Sequence, residues 1–294
     1  MSNPLLRAKL TSRDFFYAPG IHDMVTAVIA KEQKFDIVYA TGYWLTASAY
    51  GLPDAGIASY TQMLDRVSTL CQTMGPSTAV IADADTGYGG LLNVHHTVRG
   101  YEAAGATAIQ LEDQEFPKKC GHTRNKRVVS TATMVTKIKV ALEARRDPDN
   151  TLIIARTDAR QVEGFDGALR RAEAYAEAGA DIIFVEALTS QDEMLKACAA
   201  IGKPMMANMA DGGKTPILSA QELEKLGYAC AIYPSLTALA AAAAIKHALQ
   251  RMRATGSSDN ADVPLHDFSA FCSLIGFEDV WAFERRWAEE TASV

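Results

Sequence analysis

Carboxylate and amide side chains recur at the ends of short apolar runs. They are Asp83 and Asp85, Glu112 and Asp113, Asp158 beside Arg156, Glu186, and Asn208, with Thr41-Gly42-Tyr43 closing a further run. Acids gathered in one mouth repel each other unless a cation lies among them, so the set points to a bound metal. Ligation by oxygen alone, with no histidine cluster, favours magnesium, or manganese in its place, over zinc. Asp85 is expected as a direct ligand, with Asp83 and Glu112 acting directly or through water. For Asp113 and Asp158 taken singly, a capping role at a strand end is an equal alternative.

The second chemical signal is the polar stretch Glu115 to Lys126, which contains Lys118-Lys119-Cys120-Gly121-His122. Its cations would lower the pKa of the Cys120 thiol and let it exchange a proton near neutral pH. A solvated basic loop with an incidental cysteine is the equal alternative. The other cysteines, Cys71, Cys198, Cys230 and Cys272, are far apart with no C-x-x-C, so they read as small core residues and neither a disulfide framework nor a zinc site. His95 and His96 follow Gly87-Tyr88-Gly89-Gly90 at a helix start and are read as structural. The glycine run lacks a Walker lysine and the dinucleotide spacing, so it is a flexible loop and no phosphate cradle.

Those residues must be positioned by something, and the apolar runs supply it. Seven are clear: Asp36 to Ala40, Ala79 to Ala82, Ala108 to Leu111, Leu152 to Ala155, Asp181 to Val185, Pro204 to Ala207 and Tyr228 to Ile232. A weaker one, Phe15 to Ala18, precedes them. Each suits a strand buried on both faces. Segments of helical period alternate with them, such as Gly167 to Gly179 and Ser219 to Gly227, where Ser219 and Glu222 form a capping box. Alternation demands parallel strands with right-handed crossovers, and eight units predict an α/β fold, a (β/α)8 TIM barrel. All the polar strand ends then open on one face.

The barrel is expected over residues 1–253, with Ala238 to Ala244 an alanine-rich helix packed closely on its neighbours. Residues 254–294 form an appended helical extension. Its aromatic segment Phe277 to Glu290, with Trp281, Phe283 and Trp287, needs a surface to cover, either its own barrel or a second subunit. The net charge of -6, with basic residues scattered, excludes a nucleic-acid partner. The start of the chain has no signal-like apolar stretch and no segment reads as a membrane span, so a cytoplasmic location is expected.

Lys118-Lys119-Cys120-Gly121-His122 resembles the signature of the isocitrate lyase and phosphoenolpyruvate mutase superfamily. Gly51-Leu52-Pro53-Asp54, Ala82-Asp83-Ala84-Asp85, Leu111-Glu112-Asp113-Gln114, Ala155-Arg156-Thr157-Asp158-Ala159, Val185-Glu186-Ala187 and Asn208 through Gly213-Lys214-Thr215-Pro216 agree in order and spacing. The resemblance implies magnesium at a barrel mouth, a mobile lid carrying the cysteine, and a homotetramer with exchanged terminal helices. Thr-Gly-Tyr, Pro-Lys-Lys-Cys-Gly-His and Gly-Gly-Lys-Thr-Pro together are similar to the branch of the 2,3-dimethylmalate lyases and petal death proteins, with methylisocitrate lyases as neighbours.

By that resemblance, Thr41, Gly42 and Tyr43 hold the carboxylate of an α-keto acid, Arg156 binds its oxygens, and Asp54, Gly121, Glu186, Asn208 and Thr215 complete the pocket. Cys120 protonates an enolate, with Lys118 and His122 tuning it. Tyr39 or a metal-bound water takes the substrate hydroxyl proton. The stretch Pro234 to Ala240 lacks the arginine that methylisocitrate lyases carry there, and Tyr43 and Trp44 replace smaller residues. The expected substrate is therefore a dicarboxylate such as 2,3-dimethylmalate or citramalate. Methylisocitrate cleavage and oxaloacetate hydrolysis or decarboxylation are the alternatives, and phosphonate chemistry is disfavoured by Cys120.

Overall fold

The structure is a computed structural model and describes residues 3–121, 123, 125–259 and 262–291. The strands are β1 (Phe16–Ile21), β2 (Ile37–Ala40), β3 (Ala79–Asp83), β4 (Ala108–Glu112), β5 (Leu152–Thr157), β6 (Ile182–Val185), β7 (Met206–Asn208) and β8 (Cys230–Tyr233). The helices are α1 (Leu5–Ser12), α2 (Met24–Glu32), α3 (Gly42–Tyr50), α4 (Tyr60–Met74), α5 (Leu91–Ala104), α6 (Thr131–Ala144), α7 (Arg160–Glu177), α8 (Gln191–Ala200), α9 (Ala220–Lys225), α10 (Leu236–Thr255), α11 (Phe268–Leu274) and α12 (Phe277–Thr291). Every expected strand is present. β7 starts two residues later than expected, because Pro204 has no N–H to give a ladder.

Neighbouring strands run β6-β5-β4-β3-β2-β1-β8-β7, all parallel. β1 pairs with β8 from Phe16↔Cys230 to Pro19↔Tyr233, joining the two ends of the fold. β6 and β7 meet through one parallel bridge, Ile183↔Met205, beside a 2.9 Å hydrogen bond from Ile183 N to Pro204 O. That bridge closes the sheet into a (β/α)8 barrel.

The strands lack a polar face because both of their faces are buried. Phe16, Ala18, Ile37, Tyr39, Ile81, Ile154, Phe184, Met206 and Ile232 point inward and fill the barrel. Their neighbours Val38, Ala40, Val80, Ala82, Ile109, Ile153, Ile183 and Ala207 pack outward on the helices. At the end where β5 and β6 begin, α1 plugs the barrel with fully buried Leu6. Arg7 holds the plug, donating to Pro148 O and Asp149 O and pairing with Asp181 at 2.8 Å.

Helix starts follow the capping residues. Ser59 with Gln62 opens α4, and Ser219 with Glu222 forms the expected box at α9. α7 begins earlier than expected, at Arg160, and bends at Gly164, whose φ of 79° breaks the helical run before Gly167.

The C-terminal part departs from expectation. α10 runs to Thr255, and of its residues only Ala238 is buried. The alanine-rich turns are thus not packed closely within their own chain, because the helix leaves the barrel after its first turn. Leu239, Ile245, Leu249 and Met252 are exposed on it, as are Val280, Trp281, Phe283 and Trp287 on α12. Cys71 and Cys230 are core residues as expected, but Cys198 and Cys272 are half-buried, Cys272 lying on α11 outside the barrel. No helix among the described residues is long and apolar enough to cross a membrane.

Candidate active site

Parallel strands put all their C-terminal ends on one face, and a cavity of about 210 Å³ opens there. Tyr39, Thr41, Tyr43, Asp54, Asp83, Lys118, Cys120, Gly121, Arg156, Glu186 and Asn208 all line it. Eleven of the expected site residues therefore share one wall. Gly42, Asp85 and Glu112 adjoin it, Thr215 is buried outside the wall, and His122 lies outside the described residues.

The acids are held by a tight turn after β3. Asp85 has a φ of 49°, and its N–H donates to Asp83 Oδ1 at 3.0 Å. Gly42 opens α3 directly against Asp83, where an added Cβ would lie 2.8 Å from Oδ2. Tyr39 donates to Asp83 Oδ2 and to Gln110 Oε1, each at 3.3 Å, and Gln110 Nε2 donates to Asp83 Oδ1. Burial raises the Tyr39 pKa, and the nearby Asp83 charge raises it further, so this phenol keeps its proton.

Burial also pushes the Asp85 carboxyl up to about 6, against the pull of Lys118, and lifts Glu112 against Arg156. Glu112 Oε1 has no hydrogen-bond partner among the described residues, and Asp85 Oδ1 faces only the Lys118 charge, 2.6 Å away. Lys118 is turned toward the acids, its ammonium set between Asp54 and Asp85. Burial disfavours that ammonium, but Asp85 and Asp54 outweigh the penalty and keep it charged. Lys119 instead lies at the surface, reaching Asn125 O.

Arg156 ends in a ring of carboxylates. Its Nε and Nη2 donate to Asp158 at 2.9 and 3.0 Å, while Glu112 and Glu186 stand 3.4 and 3.2 Å away. Burial opposes its charge, yet Asp158, Glu112 and Glu186 together keep it protonated. Asp158 is buried, but Arg156 and Lys126 hold its carboxyl below the usual range. Glu186 is fixed by Ala187 N at 2.7 Å and Asn208 Nδ2 at 3.0 Å.

Asp113 takes the structural role weighed for it, holding a backbone amide at a strand end. It faces away from the cavity and caps no helix, accepting instead from Thr157 Oγ1, Asp158 N and Tyr175 Oη at 2.7, 2.8 and 2.8 Å, with Arg171 behind. The sequence reading missed Gln110, Lys126, Gln161 and Asp211. Gln110 was findable: it sits two residues before Glu112 in a strand and so shares its inward face. The others come from loops and a helix start, where no periodicity marks them. Among the described residues no three Asp, Glu, His or Cys side chains gather as a ready metal cage, since Lys118 stands between Asp54 and Asp85.

Comparison with known proteins agrees with this geometry. Residues 6–253 match the family described as phosphoenolpyruvate phosphomutase. The chain belongs to this enzyme family, part of the PEP mutase/isocitrate lyase superfamily. It is 42% identical to 2,3-dimethylmalate lyase of Eubacterium barkeri, covering 96% of this chain and 97% of that one. It is 40% identical to 2-methylisocitrate lyase of Aeropyrum pernix over 97% of this chain and 90% of that one. The crystal structure of 2,3-dimethylmalate lyase superposes with a TM-score of 0.90 at 33% identity, covering 97% and 96% of the two chains. Phosphonopyruvate hydrolase in complex with oxalate and Mg++ superposes at 0.86 with 32% identity, covering 98% and 100%.

Proposed function

We propose that this chain is a magnesium-dependent lyase that cleaves a 2-hydroxy dicarboxylate, such as 2,3-dimethylmalate or citramalate, into pyruvate and a carboxylic acid. One observation carries the substrate class. The only cations in the cavity wall among the described residues are Lys118 and Arg156, and each is already bound to acids. The β7–β8 side presents Ile232, Pro234, Ser235 and the carboxylate of Asp211, with Tyr43 and Trp44 packed ring to ring at 4.6 Å. A third substrate carboxylate would meet no counter-charge there.

The residues fit a hard divalent cation. Six carboxylates, those of Asp54, Asp83, Asp85, Glu112, Asp158 and Glu186, face three cations, Lys118, Lys126 and Arg156. An anionic substrate would enlarge that deficit, and the Asp85 carboxylate and the Oε1 of Glu112, which has no hydrogen-bond partner among the described residues, are hard donors. Asp83, Asp85 and Glu112 would hold the ion, directly or through water. Once bound, magnesium, or manganese in its place, would supply positive charge against the oxygen anion that develops on C2. The Mg-bound oxalate complex of phosphonopyruvate hydrolase supports this assignment.

The chain's own groups divide the rest of the work. Arg156, oriented by Asp158, presents its guanidinium to the keto-acid oxygens, and Thr41, Gly42 and Tyr43 receive the carboxylate at the α3 N-terminus. The substrate hydroxyl passes its proton to a water molecule, the C2–C3 bond breaks, and its electron pair becomes the enolate of the departing acid. Cys120 gives that carbon a proton, with Lys118 and His122 in its loop. Tyr39, whose hydroxyl donates to Asp83 Oδ2 and Gln110 Oε1, serves as a hydrogen-bond donor at the metal side of the cavity.

Outside the cavity, the exposed apolar side chains of α10 and α12 support a homo-oligomer, a tetramer with exchanged helices being the arrangement proposed. The test is a coupled pyruvate assay with magnesium over 2,3-dimethylmalate, citramalate, methylisocitrate, isocitrate, oxaloacetate and phosphonopyruvate. Dicarboxylate cleavage should dominate. A clear preference for methylisocitrate would sink the substrate argument, and no pyruvate from any 2-hydroxy acid would sink the lyase reading.

A further inference from the structure

The loop that carries Cys120 has little apolar anchorage. It leaves β4 and returns to α6, stitched at its base by the antiparallel bridge Gln114↔Val128 and by Glu115 N donating to Arg127 O at 2.9 Å. Val128 and Val129 anchor its return to α6, but Phe116, the one large apolar side chain between residues 115 and 127, is exposed. What presses its tip to the barrel is polar: Lys118 is tied to Asp54 and Asp85, and two further donors converge on one atom, the carbonyl oxygen of Gly121.

Lys126 Nζ donates to that oxygen, and Gln161 Nε2, from the first turn of α7, donates to it at 3.0 Å. Lys126 is itself buried and pinned 2.9 Å from Asp158 Oδ1. The same carboxylate orients Arg156 through both its oxygens. The carbonyl is held this firmly because the Gly121 backbone lies flat against Arg156 and Glu186, where a Cβ would fall 2.8 Å from Glu186 Oε2.

We propose that Lys126 and Gln161 are positioning residues for Cys120: by clasping the carbonyl of the next residue they hold the thiol over the cavity, in register with Arg156. The functional part rests on the reading of Cys120 as the proton donor. Neither residue touches the reacting atoms. A buried Lys126–Asp158 pair could be only a structural tie, so the decisive readouts must report loop position and not fold stability.

The experiment uses Gln161→Ala and Lys126→Gln in the full-length, magnesium-loaded protein. It measures iodoacetamide alkylation of Cys120 by peptide mass mapping, amide exchange across residues 115–127, and kcat and KM separately. Losing the neutral bond from Gln161 should speed Cys120 alkylation about fivefold and lower kcat by a similar factor with KM little changed. Losing the charged bond from Lys126 should do both by roughly ten- to a hundredfold. Cys198 and Cys272 should label at unchanged rates, and Arg127→Ala, which breaks only an exposed pair with Glu115, should leave the loop as it was.

Unchanged labelling and exchange in Gln161→Ala overturns the clasp, whatever happens to turnover. If Lys126→Gln does not fold, Gln161→Ala decides alone. Should Cys120→Ser retain full turnover, the proton-donor reading fails, while the labelling and exchange rates still decide the clasp.

Discussion

Replacing Asp113 by alanine tests the architecture beneath the site without touching the cavity. Asp113 is fully buried and accepts from Thr157 Oγ1, Asp158 N and Tyr175 Oη, with Arg171 Nη1 at 3.4 Å. Alanine strands the Thr157 and Tyr175 hydroxyls and the Asp158 amide away from water. Arg171 keeps Glu163, Val129 O and Tyr175. A stranded buried donor costs about 1–3 kcal/mol, and two of the three are hydroxyls that can rotate toward other acceptors. Burial already opposes the Asp113 charge and raises its pKa, which refunds part of the loss. The net cost should be roughly 4 kcal/mol, or about 8 °C in melting temperature at ~2 °C per kcal/mol for a chain of this size. Differential scanning fluorimetry and the urea midpoint give the stability change, and kcat/KM shows whether Asp158 and Arg156 have shifted. A loss under about 1 kcal/mol with normal kcat/KM would refute the claim that this network supports the site.

Three further outcomes are expected. Cys120→Ser should lower kcat by about 10²- to 10⁴-fold with magnesium affinity retained, and near-normal turnover excludes the thiol as proton donor. Gly42→Ala places a Cβ 2.8 Å from Asp83 Oδ2 and should weaken magnesium binding by roughly ten- to a hundredfold by calorimetry; unchanged affinity would mean that Asp83 does not hold the ion. His22 has its pKa lowered from 6.5 by burial, despite Asp23, so the folded chain binds fewer protons there than the unfolded one. Its share of stability is present above pH 6.5 and is lost as pH falls below it. Urea midpoints taken from about pH 7.5 down to about 5 should therefore fall less steeply in His22→Gln, and an unchanged slope would remove His22 from the account.

Fold and site were unequally legible in the sequence. A doubly buried strand must be apolar on both faces, so the runs Asp36 to Ala40 and Leu152 to Ala155, found as β2 and most of β5, announce themselves without any partner in view. Parallel topology then places Asp83, Glu112, Arg156 and Asn208 on one rim by geometry alone. The direction of Lys118 was not legible, because adjacency to Cys120 in the chain does not say which way a loop side chain turns. The exposure of α10 was hidden for a related reason: an alanine-rich turn reads as tightly packed whether its cover comes from its own chain or from another. Lys126 precedes β5 in the chain and Gln161 follows it, and their meeting at Gly121 is a coincidence that only the folded chain creates.

The barrel's one thin join also has a thermodynamic meaning. β6 and β7 share a single bridge, while Glu186 just above β6 and Asn208 at the tip of β7 are tied across the same join by a 3.0 Å hydrogen bond. A ligand that engages both of those side chains acts as a clip across the seam, and only the closed barrel can bind it. Occupancy would therefore be felt at Ile183 and Met205, deep in the wall, as slower amide exchange. Substrate level would set how often this barrel breathes.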